Sequence, residues 1–226
     1  MRKTVILVFL AAVLAVPSAQ AGDFLKWITG RSGIEGSGDL VTDTRNLGDF
    51  SRIESTGSFD IFVTVGEGQE MTITFDDNLI DLIKTRVRGK TLKIYSRDSY
   101  SSRYSCKIDL KVPYLESIRL SGSGDVEIFD LSGELFECSI SGSGDIRADG
   151  EVEEVDIRVS GSGDVDTREL IAHEASVRVS GSGDVKVFAS EFFDGSVSGS
   201  GDIDIYGNPE RMSRHVSGSG DIRKRR

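Results

Sequence analysis

The sequence has 226 residues, with 27 Lys and Arg against 37 Asp and Glu, a formal charge of −10 at pH 7. That length holds one domain of ordinary to slightly large size, and the acidic balance argues against nucleic acid or anionic lipid as a general partner. With 26 glycines and only three prolines, and with many β-branched residues, the chain reads as strands and turns.

In chain order, the basic Met1-Arg2-Lys3, the apolar run Thr4 to Val16 and the small residues Ala19-Gln20-Ala21 read as a signal peptide over 1–21. The apolar run is short for a bilayer span and no stop-transfer pattern follows it. The mature chain is therefore expected to begin at Gly22, to be exported to the periplasm or to the extracellular cell surface, and to keep no integral membrane segment. Without residues 1–21 it has 25 basic and 37 acidic residues, about −12. Residues 22–45 form a leader or N-terminal cap in which Phe24, Leu25, Trp27 and Ile28 suit a short helix or a flexible arm.

Asp60 to Phe75 (DIFVTVGEGQEMTITF) reads as two alternating strands around a Gly66/Gly68 turn, and TRVRGKTLKIYS as two more around Gly89. Arg97 to Ser105 is polar and reads as a loop. Cys106 and Cys138 both fall at the apolar phase of strand patterns. In an oxidising compartment they are free to form a disulfide or to remain buried thiols, and spacing does not decide between the two.

From Ser121 onward SGSGD recurs six times, with its aspartates at Asp125, Asp145, Asp164, Asp184, Asp202 and Asp221, separated by 20, 19, 20, 18 and 19 residues. EGSGDL at Glu35 and STGSFDI at Ser55 look like degraded copies. A fixed period near twenty marks stacked supersecondary units. Apolar residues alternate on both sides of each motif, as in Ile118/Leu120 and Val126/Ile128, so the units are strands. The fold class this predicts is all-β, a parallel β-helix solenoid of 19–20 residues per repeat with a less regular strand region before it. The motif glycines are expected to supply positive φ and close backbone approach at a corner, and the serines and aspartates to bond local amides. Two residues past each aspartate stand Glu127, Arg147, Asp166, Lys186, Asp204 and Arg223, alternating in sign. On stacked parallel strands these would be lateral neighbours, which fixes register.

The stretches RNLGDFSRIESTGSFDIFVTVGEG, DDNLIDLIKTRVRGKTLKIY and KVPYLESIRLSGSGDV, with the SGSGD copies that follow, resemble the putative auto-transporter adhesin head GIN domain family. The resemblance covers about residues 36 to 222. It implies an exported bacterial protein with a right-handed single-stranded β-helix over 46–222, and it carries over no catalytic residues. Residues 223–226 (RKRR) are expected to be a basic tail that follows directly on the last repeat and guards the open strand edge by repulsion.

Little in the sequence suggests catalysis. Stacked aspartates admit calcium, but the motif lacks the nine-residue spacing of known calcium repeats, so they read as structural turn residues and no cofactor or metal is expected. Asp149, Glu151, Glu153 and Glu154 form the densest acidic cluster, which a glycosidase would need as two carboxylates at a set separation; its alternation with Val152 and Val155 reads as a solvated strand face. His173 and His215 occupy unrelated parts of the repeat. Two residues before the motifs stand Arg119, Arg158 and Arg178, a candidate binding face for an acidic partner. The function expected is a non-enzymatic, adhesin-like scaffold of the cell envelope, with an envelope or glycan ligand of unknown identity, no nucleic acid, and room for homo-oligomers. A carbohydrate-active enzyme on the same fold and a purely structural envelope protein are the alternatives.

Overall fold

A computed structural model describes residues 33–225. The signal peptide expected over 1–21, the leader before Gly33 and the last tail residue lie outside the described residues. What is described is all-β apart from a single 3-10 turn at Ile80–Leu82. The strands belong to a two-stranded sheet and to one 16-stranded, mostly parallel sheet.

The repeated half contains β10 (Ser117–Leu120), β11 (Val126–Ile140), β12 (Ile146–Val159), β13 (Val165–Val179), β14 (Val185–Phe188), β15 (Phe192–Val197), β16 (Ile203–Tyr206), β17 (Arg211–Val216) and β18 (Ile222–Lys224). Each of these except the last two, β17 and β18, pairs in parallel with the strand one repeat later, so equivalent positions lie side by side. Val126, Ile146, Val165, Val185, Ile203 and Ile222 are successive partners, and all six are buried. Cys138, Ile157 and Val177 form a second buried column. Each such aliphatic side chain contributes roughly 1.5–3 kcal/mol on burial, which is why the same apolar phase returns in every copy. The long strands bend midway. Asp130 turns the chain with φ 58° in β11, and Gly150 with φ 128° does so in β12.

The N-terminal half is β1 (Ile34–Glu35), β2 (Leu40–Thr44), β3 (Arg52–Thr56), β4 (Phe59–Val65), β5 (Glu70–Asp76), β6 (Ile83–Arg88), β7 (Thr91–Ser96), β8 (Tyr100–Ser101) and β9 (Cys106–Val112). Its order in space differs from its order in sequence. β3 and β4 lie directly beside β10 and β11, with Ile118 opposite Ile53 and Val126 opposite Ile61. β7 and β9 then continue the sheet in parallel on the far side of β3 and β4. STGSFDI at Ser55 is therefore a true copy of the motif, stacked against SGSGDV at Ser121.

The two strands expected around Gly66 and Gly68 form as β4 and β5, but they do not pair with each other, because β9 runs between them, parallel to β4 and antiparallel to β5. One sequence expectation fails in this half. EGSGDL at Glu35 is not a repeat copy. It is strapped down by the acidic end of β5 and the turn after it, where Gly38 N donates to the fully buried Asp76 Oδ1 at 2.6 Å and Ser37 N donates to Asn78 Oδ1 at 3.0 Å. The hairpin around Gly89 does form, as β6 antiparallel to β7. Antiparallel β5 and β6 thus cover the edges that β9 and β7 would otherwise present.

Candidate binding face

The motif turns pack backbone on backbone. A Cβ built on Gly142 would stand 1.9 Å from the Gly122 carbonyl oxygen, and one on Gly144 would stand 1.9 Å from that of Gly124. The same clash recurs at every later copy. None of the twelve SGSG glycines has positive φ. Close approach, and not left-handed backbone, is what requires glycine here.

The aspartates bond across the stack and not locally. Oδ1 of Asp125, Asp145, Asp164, Asp184 and Asp202 accepts the backbone N–H of the next motif aspartate at 3.0, 2.8, 2.7, 2.7 and 2.8 Å. Carboxylates one strand apart repel by roughly 0.9 kcal/mol in water, whereas a hydrogen bond to a charged group contributes about 1.5–3 kcal/mol. The bond wins, so the ladder tolerates its own charge. Among the described residues no three His, Cys, Asp or Glu side chains converge as metal ligands would.

The alternating column lies in register: Glu127, Arg147, Asp166, Lys186, Asp204 and Arg223 are successive partners. Its lateral ion pairs are long, 3.7 Å for Arg147–Glu127 and 3.9 Å for Lys186–Asp166. Shorter contacts come from residues just outside the column. Arg168 donates to both Asp166 oxygens at 2.8 and 2.7 Å. Partial burial works to raise the Asp166 carboxyl, but hydrogen bonds and charge from Arg168 outweigh it and hold the group below its ordinary range. The tail is likewise tied down. Arg223 reaches Asp202 at 2.9 Å and Asp221 at 3.0 Å, and Arg225 reaches Asp204 at 2.9 Å.

Arg119, Arg158 and Arg178 stand in one row on an outer face. Arg119 lies opposite Ser139, Ser139 opposite Arg158, and Arg158 opposite Arg178. Beyond β10 the row continues through Glu54 to Lys93 and Arg86, two residues that sequence reasoning missed. The alternation in KTRVRGKTLK showed cations on one side of a hairpin, but only the pairing of β7 with β3 places them in line with Arg119. Single carboxylates serve two cations each: Glu54 binds Lys93 at 2.6 Å and Arg119 at 3.7 Å, while Asp156 binds Arg158 at 2.5 Å and Arg178 at 3.9 Å. Each triplet keeps one positive charge in excess.

The other sequence candidates are not brought together. Cys106 and Cys138 are both buried and free. They sit on β9 and β11, which do not pair, so the disulfide that the sequence allows does not form. Burial pushes each thiol up to about 12. In the acidic cluster, Asp149 accepts the Asp130 amide at 2.8 Å and Glu153 lies 3.9 Å from His173. His173 stands mid-strand in β13, and His215 stands at the far end of the cationic row.

Residues 49–209 match the family described as putative auto-transporter adhesin, head GIN domain. The chain belongs to this family. A putative adhesin from Bacteroides fragilis resembles the GIN-domain chain with 25% identity and a TM-score of 0.70, over 85% of this chain and 100% of the other. A putative lipid binding protein from Parabacteroides distasonis is 26% identical with a TM-score of 0.52, over 85% and 99%. A putative adhesin from Parabacteroides merdae, at 18% identity and a TM-score of 0.51 over 86% and 100%, shares the fold. No curated protein matches the chain.

A groove of about 590 Å³ opens beside the cationic row of the GIN domain, between Tyr114 and Leu135, with Arg52, Arg119 and Glu116 in its walls. Arg52 Nε donates to Glu116 Oε2 at 3.0 Å, so that carboxylate is engaged as an ion-pair partner. No helix among the described residues is long and apolar enough to cross a membrane.

Proposed function

We propose that this GIN-domain chain is a non-enzymatic, adhesin-like binding protein of the bacterial cell envelope, exported by residues 1–21 to the periplasm or the cell surface. Residues 22–45 serve as its N-terminal cap, 46–222 as the binding scaffold and 223–226 as a basic tail. The in-register parallel pairing at intervals of 18–20 residues supports a right-handed single-stranded β-helix, the form that the family resemblance implies. Such a stack offers long flat faces and needs no cleft to bind. The family's designation, and that of the Bacteroides fragilis structure, favour adhesion over catalysis.

The observation that carries this reading is the row Arg86, Lys93, Arg119, Arg158 and Arg178 on one face of a chain whose net charge is −10. Unlike the charge ladder, whose signs alternate and cancel, this row sets five cations against the single carboxylate of Glu54. A glycan array run beside a polysaccharide turnover assay tests it. Retention of glycans without release of shortened products is the expected result. Multiple turnover on any bound polysaccharide overturns the reading in favour of an enzyme.

A further inference from the structure

We propose that the outer face of β6 and β7 anchors a linear acidic polysaccharide, which then crosses the strands along the row that Arg119, Arg158 and Arg178 continue. This rests on the binding role above and adds the chemical class of the ligand.

The charge distribution points there first. Residues 83–111 hold nine Lys and Arg against two Asp, in a chain of net charge −10. On the β6–β7 hairpin, Arg86 lies directly opposite Lys93, Lys84 opposite Tyr95 and Arg88 opposite Thr91. Directly opposed like charges destabilise a sheet. Lys93 is offset by Glu54, but no carboxylate among the described residues lies within ion-pair reach of Lys84, Arg86 or Arg88. Lysines on an edge strand discourage aggregation, which accounts for a cation on β6. It does not account for Lys93, Arg119, Arg158 and Arg178 on interior strands in the same line.

The shape of the positive region selects the ligand. Past the hairpin the row is narrow. The neighbouring column on the same face starts at Arg88, Thr91 and Arg52 but continues through Glu137, Asp156, Ser176 and Asp194, so a planar anionic membrane lying along the row would also meet these acids and be repelled by them. A linear polymer can follow the row, in which Glu54 is the single acid among the described residues and is engaged by Lys93 and Arg119. Carboxylates suit the forked guanidinium donors of Arg86, Arg119, Arg158 and Arg178. Tyr95, 40% exposed beside Lys93, offers a ring on which the apolar face of a sugar can lie.

The test uses the full exported chain with polygalacturonate and its methyl ester, which has the same backbone without the charge. We expect polygalacturonate to bind with an affinity that falls as salt rises, and the methyl ester not to bind. Replacing Lys84, Arg86 and Arg88 together by Ser should weaken binding about tenfold or more, with circular dichroism unchanged. Glu54→Gln frees two cations and should tighten it. An R158S/R178S variant should weaken long polymers and leave a galacturonate trimer unaffected. Equal binding of the methyl ester, an undiminished hairpin variant, or capture of phosphatidylglycerol vesicles in preference to the polymer overturns the proposal. If polygalacturonate is ignored while a neutral glycan is retained on the array, the ligand class falls and the binding role stands; if neither is retained, both fall.

Discussion

Gly142 lies so close to Gly122 that a Cβ on the first would stand 1.9 Å from the carbonyl oxygen of the second. Backbone must move to admit even one methyl group. Gly142→Ala is expected to destabilise the fold by about 3 kcal/mol or more, at the upper end of overpacking costs. Gly133 has open space around its Cβ direction and no positive φ, so Gly133→Ala should be close to neutral. Urea midpoints of the two variants check the contrast. Equal effects would show that the turns do not stack as closely as described.

The aspartate ladder depends on an acceptor and not on a charge. Asp164 Oδ1 takes the Asp184 amide at 2.7 Å, and an asparagine oxygen can do the same. Asp164→Asn should retain or slightly raise stability by relieving repulsion, whereas Asp164→Ala should lose on the order of 1 kcal/mol. A chelator should leave the melting temperature of the parent unchanged. A fall of many degrees that calcium reverses would assign the aspartates to metal binding instead.

Lys186 sits between Asp166 and Asp204 in the alternating column. Lys186→Glu would put three acids side by side. A loss of about 1 kcal/mol is expected, partly recovered in high salt because the residues are exposed enough to be screened. Chemical denaturation at two ionic strengths checks it, and a salt-independent absence of effect would mean that these side chains do not interact.

Asp166 also makes a pH prediction. Its carboxyl lies lower in the folded chain than its ordinary value because of Arg168. The unfolded chain therefore binds that proton more readily. The stability it contributes is complete above the ordinary carboxylate pKa and is lost as pH falls through the depressed folded value. Arg168→Met should lower stability at neutral pH and flatten the acid limb of the stability profile. Parallel profiles for parent and variant would show that the pair has no energetic weight.

The period, the apolar columns, the charge ladder and the common face of Arg119, Arg158 and Arg178 could all be read from the chain alone. Each follows from offsets within a repeat: when every copy buries the same phase, equal offsets become lateral neighbours whatever the rest of the fold does. Three further facts lay beyond that reach. STGSFDI, legible as a copy, has SGSGDV as its immediate neighbour although 65 residues separate Gly57 from Gly122; EGSGDL, closer to the motif by letter, is held aside by Asp76 and Asn78; and Arg86 and Lys93 join the cationic row only because β7 pairs with β3. Local pattern specifies which residues face inward, since that depends on the alternation of a single strand. Which strand lies beside which depends on the pairing of distant backbone edges, and the alternation of a single strand carries no information about its partner.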